Sequence, residues 1–426
     1  MEHVARLIDT YFPGSSRELM VGGVAVGRLA AAHGTPLFVY DASVMDRKWT
    51  VLRETLPPEF SIAYSVKANP NPRILRHFVA KGSLLEVASA GELRRAAESG
   101  CPAERIVFAG PGKTEAELEL ALRQDIREIH VESLLELERL GALARRLSIR
   151  ARIALRVNPG AEAQGGAMRM GGKPTAFGID EEGLDSVLDV ARLDPAIDVR
   201  GVHVYAGTQI LDATVLGQQY RRAVDIARRV ADRLGRPLDT LDFGGGLGIP
   251  YFANETELDM TKLREELHAL MAGVTGDRRL AGTTLLVEPG RYLVGEAGVY
   301  VTRLIDLKVS RGKTFMVVDG GMNHHLAASG NLGQVIKRNF PVAVVNRLDA
   351  VPEGSADVVG PLCTPLDTLA RDLPVPAAAV GDLIGIFQSG AYALTASPME
   401  FLGHPSPVEL LVQDGRVEVI RGRGSR

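Results

Sequence analysis

The pattern of hydrophobic and polar positions along the chain changes character near residue 291. Between residues 61 and 291, short β-branched or apolar runs alternate with amphipathic segments whose apolar residues recur every three or four positions. Several of these segments are bounded by Gly, Ser or Thr, as helices are. The runs are SIAYSVKA, LLEVAS, RIVFAG, EIHVES, RIALRVNP, VRGVHVYAG, TLDFGGG and TTLLVEPGR. Strand followed by helix, eight times over, predicts an α/β fold built on a (β/α)8 TIM barrel.

The C-terminal part contains strand-like runs that are separated by turns instead of long helices. They are VYVTRLIDLKV, TFMVVDGG, PVAVVNRL, DVVGPLC, LIGIFQSGAY and VELLVQDGRVEVI. This pattern predicts a second, all-β domain. Another strand-like run, MVGGVAVGRL, precedes residue 36 and is assigned to the same domain. We therefore expect a barrel over residues 36–290 and a β domain formed by residues 1–35 and 291–426.

Composition narrows the class of ligand. The chain has 426 residues, of which 46% are apolar, and its 49 basic and 52 acidic residues give a net charge of −3 without a long single-sign block. A nucleic-acid surface or a polybasic membrane anchor is therefore not expected, and a small ligand fits better. Two cysteines without metal-ligand spacing indicate a reducing compartment and no metal. With no signal peptide and no membrane-spanning run, a cytoplasmic protein is expected.

Polar residues follow the predicted barrel strands, and such strand ends converge on one mouth of a barrel. Lys67 is notable because it closes the alternating run of Ile62, Tyr64 and Val66, where an unpartnered ammonium would be costly. The other polar or glycine residues at the strand ends are Glu86, Arg156, Asn158, His203, Tyr205, Thr208, Gly244, Gly245, Gly246, Glu288 and Arg291.

The glycine triplet of DFGGGLG lets backbone N–H groups approach a phosphate, especially when a helix follows. It does not follow the dinucleotide pattern, because Ile249 occupies the last glycine position, and a tight turn is the alternative. Arg291 and Thr208 favour phosphate because both side chains can donate to it, although Arg291 could equally form a surface ion pair. A lysine near a phosphate site, with Glu288 available for a pyridine nitrogen, matches the needs of pyridoxal phosphate.

Eight segments carry a family resemblance: YSVKANPNPRIL, EVASAGEL, GTQ, DFGGGLGIPY, EPGRYLVGEAG, VVDGGMN, GPLCTPLD and SGAY. Together and in this order they resemble the pyridoxal-phosphate decarboxylases of the diaminopimelate, ornithine and arginine group, over nearly the whole chain. The resemblance implies an alanine-racemase-like barrel with a C-terminal β domain. It also implies a head-to-tail homodimer whose active sites are shared between subunits.

The same resemblance implies roles for single residues. Lys67 would form the Schiff base with pyridoxal phosphate, and Glu288 would pair with the pyridine nitrogen. Cys363 of GPLC would reach across the dimer to protonate the carbanion left when carbon dioxide departs, whereas a small buried hydrophobe is the usual fate of a free cysteine. The residues implied around the phosphate are Thr208, Gly244, Gly245, Gly246, Gly290, Arg291 and Tyr392.

Tyr205 stands where diaminopimelate enzymes usually have a histidine that stacks on the cofactor ring, and a tyrosine can also stack. His203, two positions earlier, is assigned to packing or to support of the site. Glu86 is expected either to support the stacking residue or to form an ion pair.

The residues that would read the far end of a substrate differ from the family pattern. Thr364 and Pro365 follow Cys363 where enzymes acting on free diaminopimelate typically have a glutamate. With its GPLCTP, MRMGGKPTAFGID and SPMEFLGHPSP segments, the chain resembles most the butirosin-type subgroup, whose amino-acid substrate is tethered to an acyl carrier protein. The candidate substrate contacts are Arg291, Asp319, Thr364 and Tyr392, with a structural role as the equal alternative for Asp319.

The segment over residues 323–341 is also altered relative to the family. His324 and His325 are adjacent, so they point in different directions and make a poor metal pair, and a solvated loop is expected. Lys337 and Arg338 are two adjacent bases that could meet an acidic carrier.

Other functions stay open at this point. Free meso-diaminopimelate, giving L-lysine, or another free basic amino acid is the main alternative substrate. A racemase needs a second acid or base on the opposite face of the cofactor, and the GPLC cysteine favours decarboxylation. An inactive regulatory homologue is a further alternative, which the joint presence of Lys67, Glu288, Arg291 and Cys363 argues against.

Overall fold

A computed structural model of the chain describes residues 2–160, 168–169, 174–205, 207–334 and 336–424. The chain forms two compact units. The barrel unit comprises Thr50–Ile249 and Glu257–Gly290, and the β unit comprises Met1–Trp49, Pro250–Thr256 and Arg291–Arg426. No helix within the described residues is long and apolar enough to cross a membrane.

The helices of the described chain are α1 (Glu2–Tyr11), α2 (Val26–His33), α3 (Ala42–Thr55), α4 (Pro72–Ala80), α5 (Ala90–Glu98), α6 (Glu115–Arg123), α7 (Leu134–Leu147), α8 (Leu184–Leu193), α9 (Ala213–Leu234), α10 (Met260–Val274) and α11 (Arg291–Val294). Several begin at a side chain that accepts a hydrogen bond from the first turn, which satisfies an otherwise unpaired N–H. Such caps are Ser89, Thr114, Ser133, Asp212 and Asp259.

The strands are β1 (Met20–Val21), β2 (Val24–Ala25), β3 (Leu37–Asp41), β4 (Phe60–Ser65), β5 (Leu84–Val87), β6 (Ile106–Phe108), β7 (Glu128–Val131), β8 (Ala151–Asn158), β9 (Met168–Arg169), β10 (Ile179–Asp180), β11 (Ile197–Val204), β12 (Gly207–Thr208), β13 (Thr240–Asp242), β14 (Thr284–Val287), β15 (Gly298–Ser310), β16 (Lys313–Val318), β17 (Val342–Val344), β18 (Gly354–Val359), β19 (Thr368–Val375), β20 (Leu383–Ile386), β21 (Val408–Gln413) and β22 (Arg416–Arg421).

The barrel unit contains a closed parallel barrel. Strands β4, β5, β6, β7, β8, β11, β13 and β14 pair in that order, and β14 returns to β4. These strands correspond to the eight apolar runs, so the predicted TIM barrel is confirmed. Ala63, Leu84, Val107 and Leu286 form a buried cluster contributed by four of the strands. Burial of such side chains, at roughly 25 cal/mol per Å² of apolar surface, is the main force that holds the barrel together.

The register of the barrel brings chemical residues to one level. Glu86 on β5 lies opposite Ser65 on β4. His203 on β11 lies opposite Asp242 on β13 and opposite Arg156 on β8. Lys67 does not belong to β4 itself, because that strand ends at Ser65 and a short 3-10 turn over Val66–Ala68 follows.

The β unit is built on a sheet with the order β19-β18-β16-β15-β3-β21-β22, and β20 pairs with both β15 and β17. The hairpin of β1 and β2 belongs to the same unit. Two strands differ from the sequence prediction. Strand β3, expected in the barrel domain, pairs instead with β15 and β21, so residues 36–49 fall in the β unit, as do residues 250–256. Strand β19 was not predicted.

Candidate active site

Lys67 has a carboxylate partner. Its Nζ lies 3.1 Å from Oε1 and 3.0 Å from Oε2 of Glu86, whose side chain is 1% exposed. The hydroxyl of Ser65 donates to the same carboxylate. The lysine side chain is 43% exposed, so the amine is accessible and does not carry the cost of a buried, isolated ammonium.

Gly290 keeps the end of β14 close to the turn that carries Lys67. A Cβ at Gly290 would lie 2.8 Å from Cβ of Ala68 and 3.1 Å from Cβ of Ser65. The backbone N–H of Ser65 also donates to the carbonyl of Pro289 at 3.2 Å. Only glycine permits this approach, and the predicted site residue Gly290 therefore has a steric role in positioning the lysine turn.

The glycine triplet lies between Tyr205 and Glu288. Gly244 and Gly246 have φ values of +68° and +111°, which side-chain-bearing residues rarely adopt. A Cβ on Gly244 would lie 2.8 Å from the Tyr205 ring, and one on Gly245 would lie 2.6 Å from the carbonyl oxygen of Glu288. Residues 247–259, all described, contain no helix, since α10 begins at Met260. The glycine triplet thus offers a surface without side chains, but no helix N-terminus follows it directly.

Gly245→Ala is expected to damage this cradle because the new methyl group would lie 2.6 Å from the backbone carbonyl oxygen of Glu288. We expect a loss of about 1–3 kcal/mol in the free energy of unfolding, typical of overpacking, measured by chemical denaturation. We also expect cofactor affinity to fall about tenfold, equivalent to roughly 1.4 kcal/mol, in titrations followed by visible absorbance. Gly183→Ala is the matched control, since an added Cβ there meets nothing within 4 Å. Equal behaviour of the two variants would contradict the steric account.

Glu288 follows β14 and is 4% exposed. Its Oε2 lies 3.5 Å from Nε2 of His203, and it is also a hydrogen-bonding neighbour of Asp242. Asp242 accepts a hydrogen bond from the N–H of Gly244 at 2.8 Å. Sequence reasoning missed Asp242, although it is the first residue of the DFGGGLG motif and lies two positions before Gly244.

The two carboxyl groups of Asp242 and Glu288 have opposite proton affinities. Burial, with the charge of Glu288 beside it, raises the pKa of Asp242 well above its usual value. Burial also acts to raise the pKa of Glu288, but the neighbouring His203 and Lys67 outweigh it and hold that pKa below its usual value. Burial lowers the pKa of His203 to about 4. Of the two carboxyl groups, Asp242 therefore holds its proton more strongly, and Glu288 is the one that ionises first.

His203 is in turn supported by residues of β7. Its Nδ1 lies 2.9 Å from Nδ1 of His130, and Nε2 of His130 lies 3.3 Å from Oε1 of Glu128. His130, His203 and Glu288 have ligand atoms within 4.8 Å of one another, as metal ligands often do. Both nitrogens of His130 already face protein groups, so the cluster is better described as a hydrogen-bonded chain. The assignment of His203 to support of the site agrees with this geometry.

Tyr205, at the end of β11, packs against a buried cation. The guanidinium carbon of Arg156 lies 5.7 Å from the Tyr205 ring centroid and 5.2 Å from that of Phe177. Glu132 holds Arg156 through a 2.7 Å ion pair and accepts a hydrogen bond from the N–H of Gly178. A cation over its face fixes the tyrosine ring in place. Thr208, in β12, is half-buried.

Arg291 belongs to the β unit, where two aromatic rings hold it. Its Nη1 donates to the hydroxyl of Tyr251 at 2.8 Å. Its guanidinium carbon lies 5.3 Å from the Tyr251 ring centroid and 4.8 Å from that of Tyr392. The predicted residues Arg291 and Tyr392 are therefore neighbours, and the guanidinium is preorganised rather than paired at random on the surface. Sequence reasoning missed Tyr251.

Asp319 uses both carboxylate oxygens within the β unit. Oδ1 accepts from the hydroxyl of Thr302 at 2.6 Å and from the N–H of Arg303 at 2.8 Å. Oδ2 accepts from the hydroxyl of Thr35 at 2.5 Å. Of the two alternatives for Asp319, these contacts favour the structural one.

Cys363 and Thr364 lie in the turn after β18. Cys363 is exposed, so in the single chain it is not a small buried hydrophobic residue. Cys101, by contrast, is buried, and burial raises the pKa of its thiol to about 12. The hydroxyl of Thr364 accepts a hydrogen bond from the N–H of Leu366 at 3.3 Å, which shapes the turn.

The prediction that His324 and His325 lie in a solvated loop is wrong. They are 1% and 0% exposed. His324 faces the hydroxyl of Tyr300 and the carbonyl of Pro405, each at 3.1 Å, and His325 faces the hydroxyl of Ser389 at 2.9 Å. Burial lowers the pKa of His324 to about 4 and that of His325 to about 3, so both are neutral packing residues.

The residues present fit pyridoxal phosphate. Lys67 offers an accessible amine, and the glycine triplet offers a surface without side chains. Oε1 of Glu288 is fully buried, and no N–H or O–H donor from the described part of the chain reaches it. An acceptor in this state suits a protonated ring nitrogen.

Comparison with known proteins shows the family of the chain. Residues 42–295 match the family described as pyridoxal-dependent decarboxylase, pyridoxal binding domain. The chain belongs to this family and is a pyridoxal-phosphate-dependent amino-acid decarboxylase.

Among its relatives is the L-glutamyl-[BtrI acyl-carrier protein] decarboxylase of Niallia circulans, which is 39% identical over 398 residues covering 92% of each chain. The diaminopimelate decarboxylase of Aquifex aeolicus is 33% identical over 416 residues, which cover 97% of this chain and 95% of that one. The crystal structure of diaminopimelate decarboxylase from Helicobacter pylori complexed with L-lysine matches with a TM-score of 0.80 at 30% identity, over 93% of this chain and 96% of that one.

Proposed function

We propose that this enzyme removes the α-carboxyl group of an L-amino acid tethered to an acyl carrier protein. The observation that carries the proposal is the 39% identity, over 92% of the chain, to an enzyme named for a carrier-bound glutamyl substrate. Thr364 and Pro365 support it, because they leave no carboxylate beside Cys363 to read the distal amine of a free diamine.

In this proposal Lys67 attaches the cofactor, and Glu86 orients its ammonium until attachment occurs. Glu288 accepts a hydrogen bond from the ring nitrogen. The glycine triplet, Thr208, Arg291 and Tyr392 bind the phosphate, with Arg291 contributing a guanidinium that its two aromatic neighbours already hold in place. Held by these residues, pyridoxal phosphate would supply the electron sink that loss of the α-carboxyl group needs.

Tyr205 limits the space over one face of the bound ring. Its own position is fixed by the Arg156 guanidinium, which in turn is held by Glu132. We propose that Tyr205 stacks on the cofactor, in place of the histidine that diaminopimelate enzymes usually have. The substitution keeps an aromatic ring that can stack.

Cys363 supplies the proton in this proposal, within a homodimer whose subunits share active sites. The exposure of the thiol in a single chain supports this role, since a donor to a partner subunit must be reachable from outside its own fold. Asp319 is not needed as a substrate contact, because its oxygens are occupied within the β unit.

The carrier needs a surface on which to dock, and the 332–338 patch offers one. It consists of Leu332, Ile336, Lys337 and Arg338, all exposed. Ile336 is 78% exposed, which is unusual for an isoleucine without a partner surface. Arg338 is held over the Phe252 ring at 3.5 Å. An apolar side chain beside two bases suits an acidic carrier with an apolar edge.

Charge reversal in the 332–338 patch is expected to weaken use of the carrier-bound substrate. Lys337→Glu combined with Arg338→Glu should raise KM about tenfold at low salt, because two attractions become repulsions, and the effect should shrink as salt screens them. Carbon dioxide release at several salt concentrations measures this. Lys308→Glu, an exposed change elsewhere in the β unit, is the control. An unchanged KM would place the docking surface elsewhere.

Substrate identity is tested by carbon dioxide release from amino acids supplied free and loaded on an acyl carrier protein. We expect the loaded L-glutamyl carrier to turn over and free L-glutamate to react poorly. The alternative of free meso-diaminopimelate is supported by relatives of that name at 33% identity. A strong preference for free meso-diaminopimelate, with L-lysine as the product, would overturn the proposal of a carrier-bound substrate and leave the decarboxylase assignment intact.

A further inference from the structure

The buried groups behind Glu288 contain two orphaned acceptors. Oδ2 of Asp242 and Oε1 of Glu288 are both fully buried, and within the described residues neither has a hydrogen-bond donor. The two side chains are nevertheless hydrogen-bonding neighbours. Two carboxylate oxygens cannot face each other in a dry interior unless a proton lies between them. A proton between the two side chains removes this conflict, and because each carboxylate oxygen has two acceptor sites, Glu288 can still accept from the cofactor ring nitrogen.

That proton belongs on Asp242. Glu288 has cationic and hydrogen-bonding neighbours that favour its ionised form, and Lys67 is among them. Asp242 has one N–H donor, from Gly244, and its other influences are burial and acidic neighbours. The directions of the two pKa values, raised for Asp242 and lowered for Glu288, agree with this placement.

A second donor approaches Glu288 from β11, the strand on the other side of β13. Nε2 of His203 lies 3.5 Å from Oε2 of Glu288 and, like the two carboxylate oxygens, is fully buried. If Nε2 carries the proton, Nδ1 of His203 accepts from Nδ1–H of His130. The remaining contact, from His130 to Glu128, then also needs a proton, held on either the ring or the carboxyl group. In this tautomer Nε2–H of His203 is a donor that faces the Glu288 carboxylate.

We propose that Asp242, carrying a proton, and His203 both donate to Glu288 and are positioning residues that keep it a weakly basic carboxylate for the cofactor ring nitrogen. The inference rests on the proposed role of Glu288. A carboxylate that accepts additional hydrogen bonds is a weaker base. The proton shared between it and the ring nitrogen then stays on the nitrogen, and only a protonated ring is a strong electron acceptor.

The environment adds several further charged or titratable groups that face this pair. Lys67 lies in the turn after β4, Glu128 and His130 lie on β7, Arg156 lies on β8 and Tyr220 lies on α9. None of these five residues is changed when Asp242 or His203 is substituted, so the same side chains surround the pair in every variant.

Two matched pairs of variants test the inference. Asp242→Asn keeps a neutral donor toward Glu288, whereas Asp242→Ala removes it. His203→Gln keeps an N–H donor, whereas His203→Phe removes it. The holoenzyme is prepared with pyridoxal phosphate labelled with ¹⁵N in the ring, and solid-state NMR reports whether that nitrogen is protonated between about pH 6 and pH 9. Cofactor affinity is measured by visible absorbance.

We expect the ring nitrogen to stay protonated in Asp242→Asn and His203→Gln, with cofactor affinity within about threefold of wild type. In Asp242→Ala and His203→Phe, the ¹⁵N signal should move toward that of the neutral ring, and affinity should fall about tenfold, as for loss of a hydrogen bond to a charged group. Thermal unfolding of each apo variant shows whether it folds. If Asp242→Ala does not fold, the comparison of His203→Gln with His203→Phe tests the inference.

Two results would overturn the inference. One is a ¹⁵N signal that does not move in the donor-free variants, and the other is an Asp242→Asn signal that moves as far as that of Asp242→Ala. Failure of the proposed function looks different. In that case, borohydride reduction and peptide mass spectrometry of the wild type would find the cofactor at a site other than Lys67, or NMR would find a neutral ring nitrogen in the wild type. Either result would overturn the inference together with the proposed function.

Discussion

Lys67→Ala is expected to abolish covalent attachment of pyridoxal phosphate and to lower turnover by more than about a thousandfold, the scale on which removal of a positioned catalytic group acts. The reason lies in the geometry, since Lys67 is the amine that the barrel presents beside Glu86 and in the field of Glu288. Borohydride reduction followed by peptide mass spectrometry should tag residues 60–70 in the wild type and leave the variant untagged.

Lys262→Ala is the control for this change. Lys262 lies on α10 of the same unit, forms surface ion pairs with Glu265 and Glu266, and is 46% exposed, close to the exposure of Lys67. It should keep the wild-type tag and turnover. A tagged Lys67→Ala protein with the absorbance of an attached cofactor would show that another amine does the attaching, and the assignment of Lys67 would then be withdrawn.

The fold was predictable where local pattern decides it. The eight barrel runs combine short apolar stretches with amphipathic helices, and their closure follows from the repeat. Strand β3 was assigned to the wrong unit because all five of its residues are buried, as they would be in a barrel strand. Only its pairing with β15 and β21, hundreds of residues away, places it. Strand β19 carries Pro374 and two exposed positions in its middle, which weaken any strand signal.

Lys67 and Glu288 could be proposed from the sequence because each stands at the end of a barrel strand within a recognisable motif. The supporting groups were missed because their importance depends on register. Glu128 and His130 alternate along β7, so they share a face of an otherwise apolar strand, and that was the available signal. Asp242 becomes significant only through its position opposite His203.

The burial of His324 and His325 depends on partners that are distant in the sequence. His325 bonds to Ser389, 64 positions along the chain, and His324 reaches Pro405. A local reading of a polar, glycine-containing segment gives no hint of these contacts. Loop exposure is a statistical tendency, and long-range hydrogen bonds override it here.

Cys363→Ala is expected to lower turnover by about a hundredfold to ten-thousandfold, as for loss of a general acid, while cofactor absorbance stays unchanged. The thiol is exposed and distant in sequence from the cofactor-binding residues, so its removal should not disturb them. Cys101→Ala is the control, because that cysteine is buried in the barrel unit. A lost or shifted cofactor spectrum in Cys363→Ala would indicate a structural role for the turn instead of proton donation.

Mixing the two inactive variants then tests whether subunits share active sites. In a shared homodimer, a Lys67→Ala subunit can offer its intact Cys363 to the intact Lys67 of a Cys363→Ala subunit. Equal mixing gives half heterodimers, each with one complete site, so activity should recover to roughly a quarter of wild type. If both variants fold, exchange subunits and still show no recovery, each site must be built within one chain, and the exposed thiol would then need a different explanation.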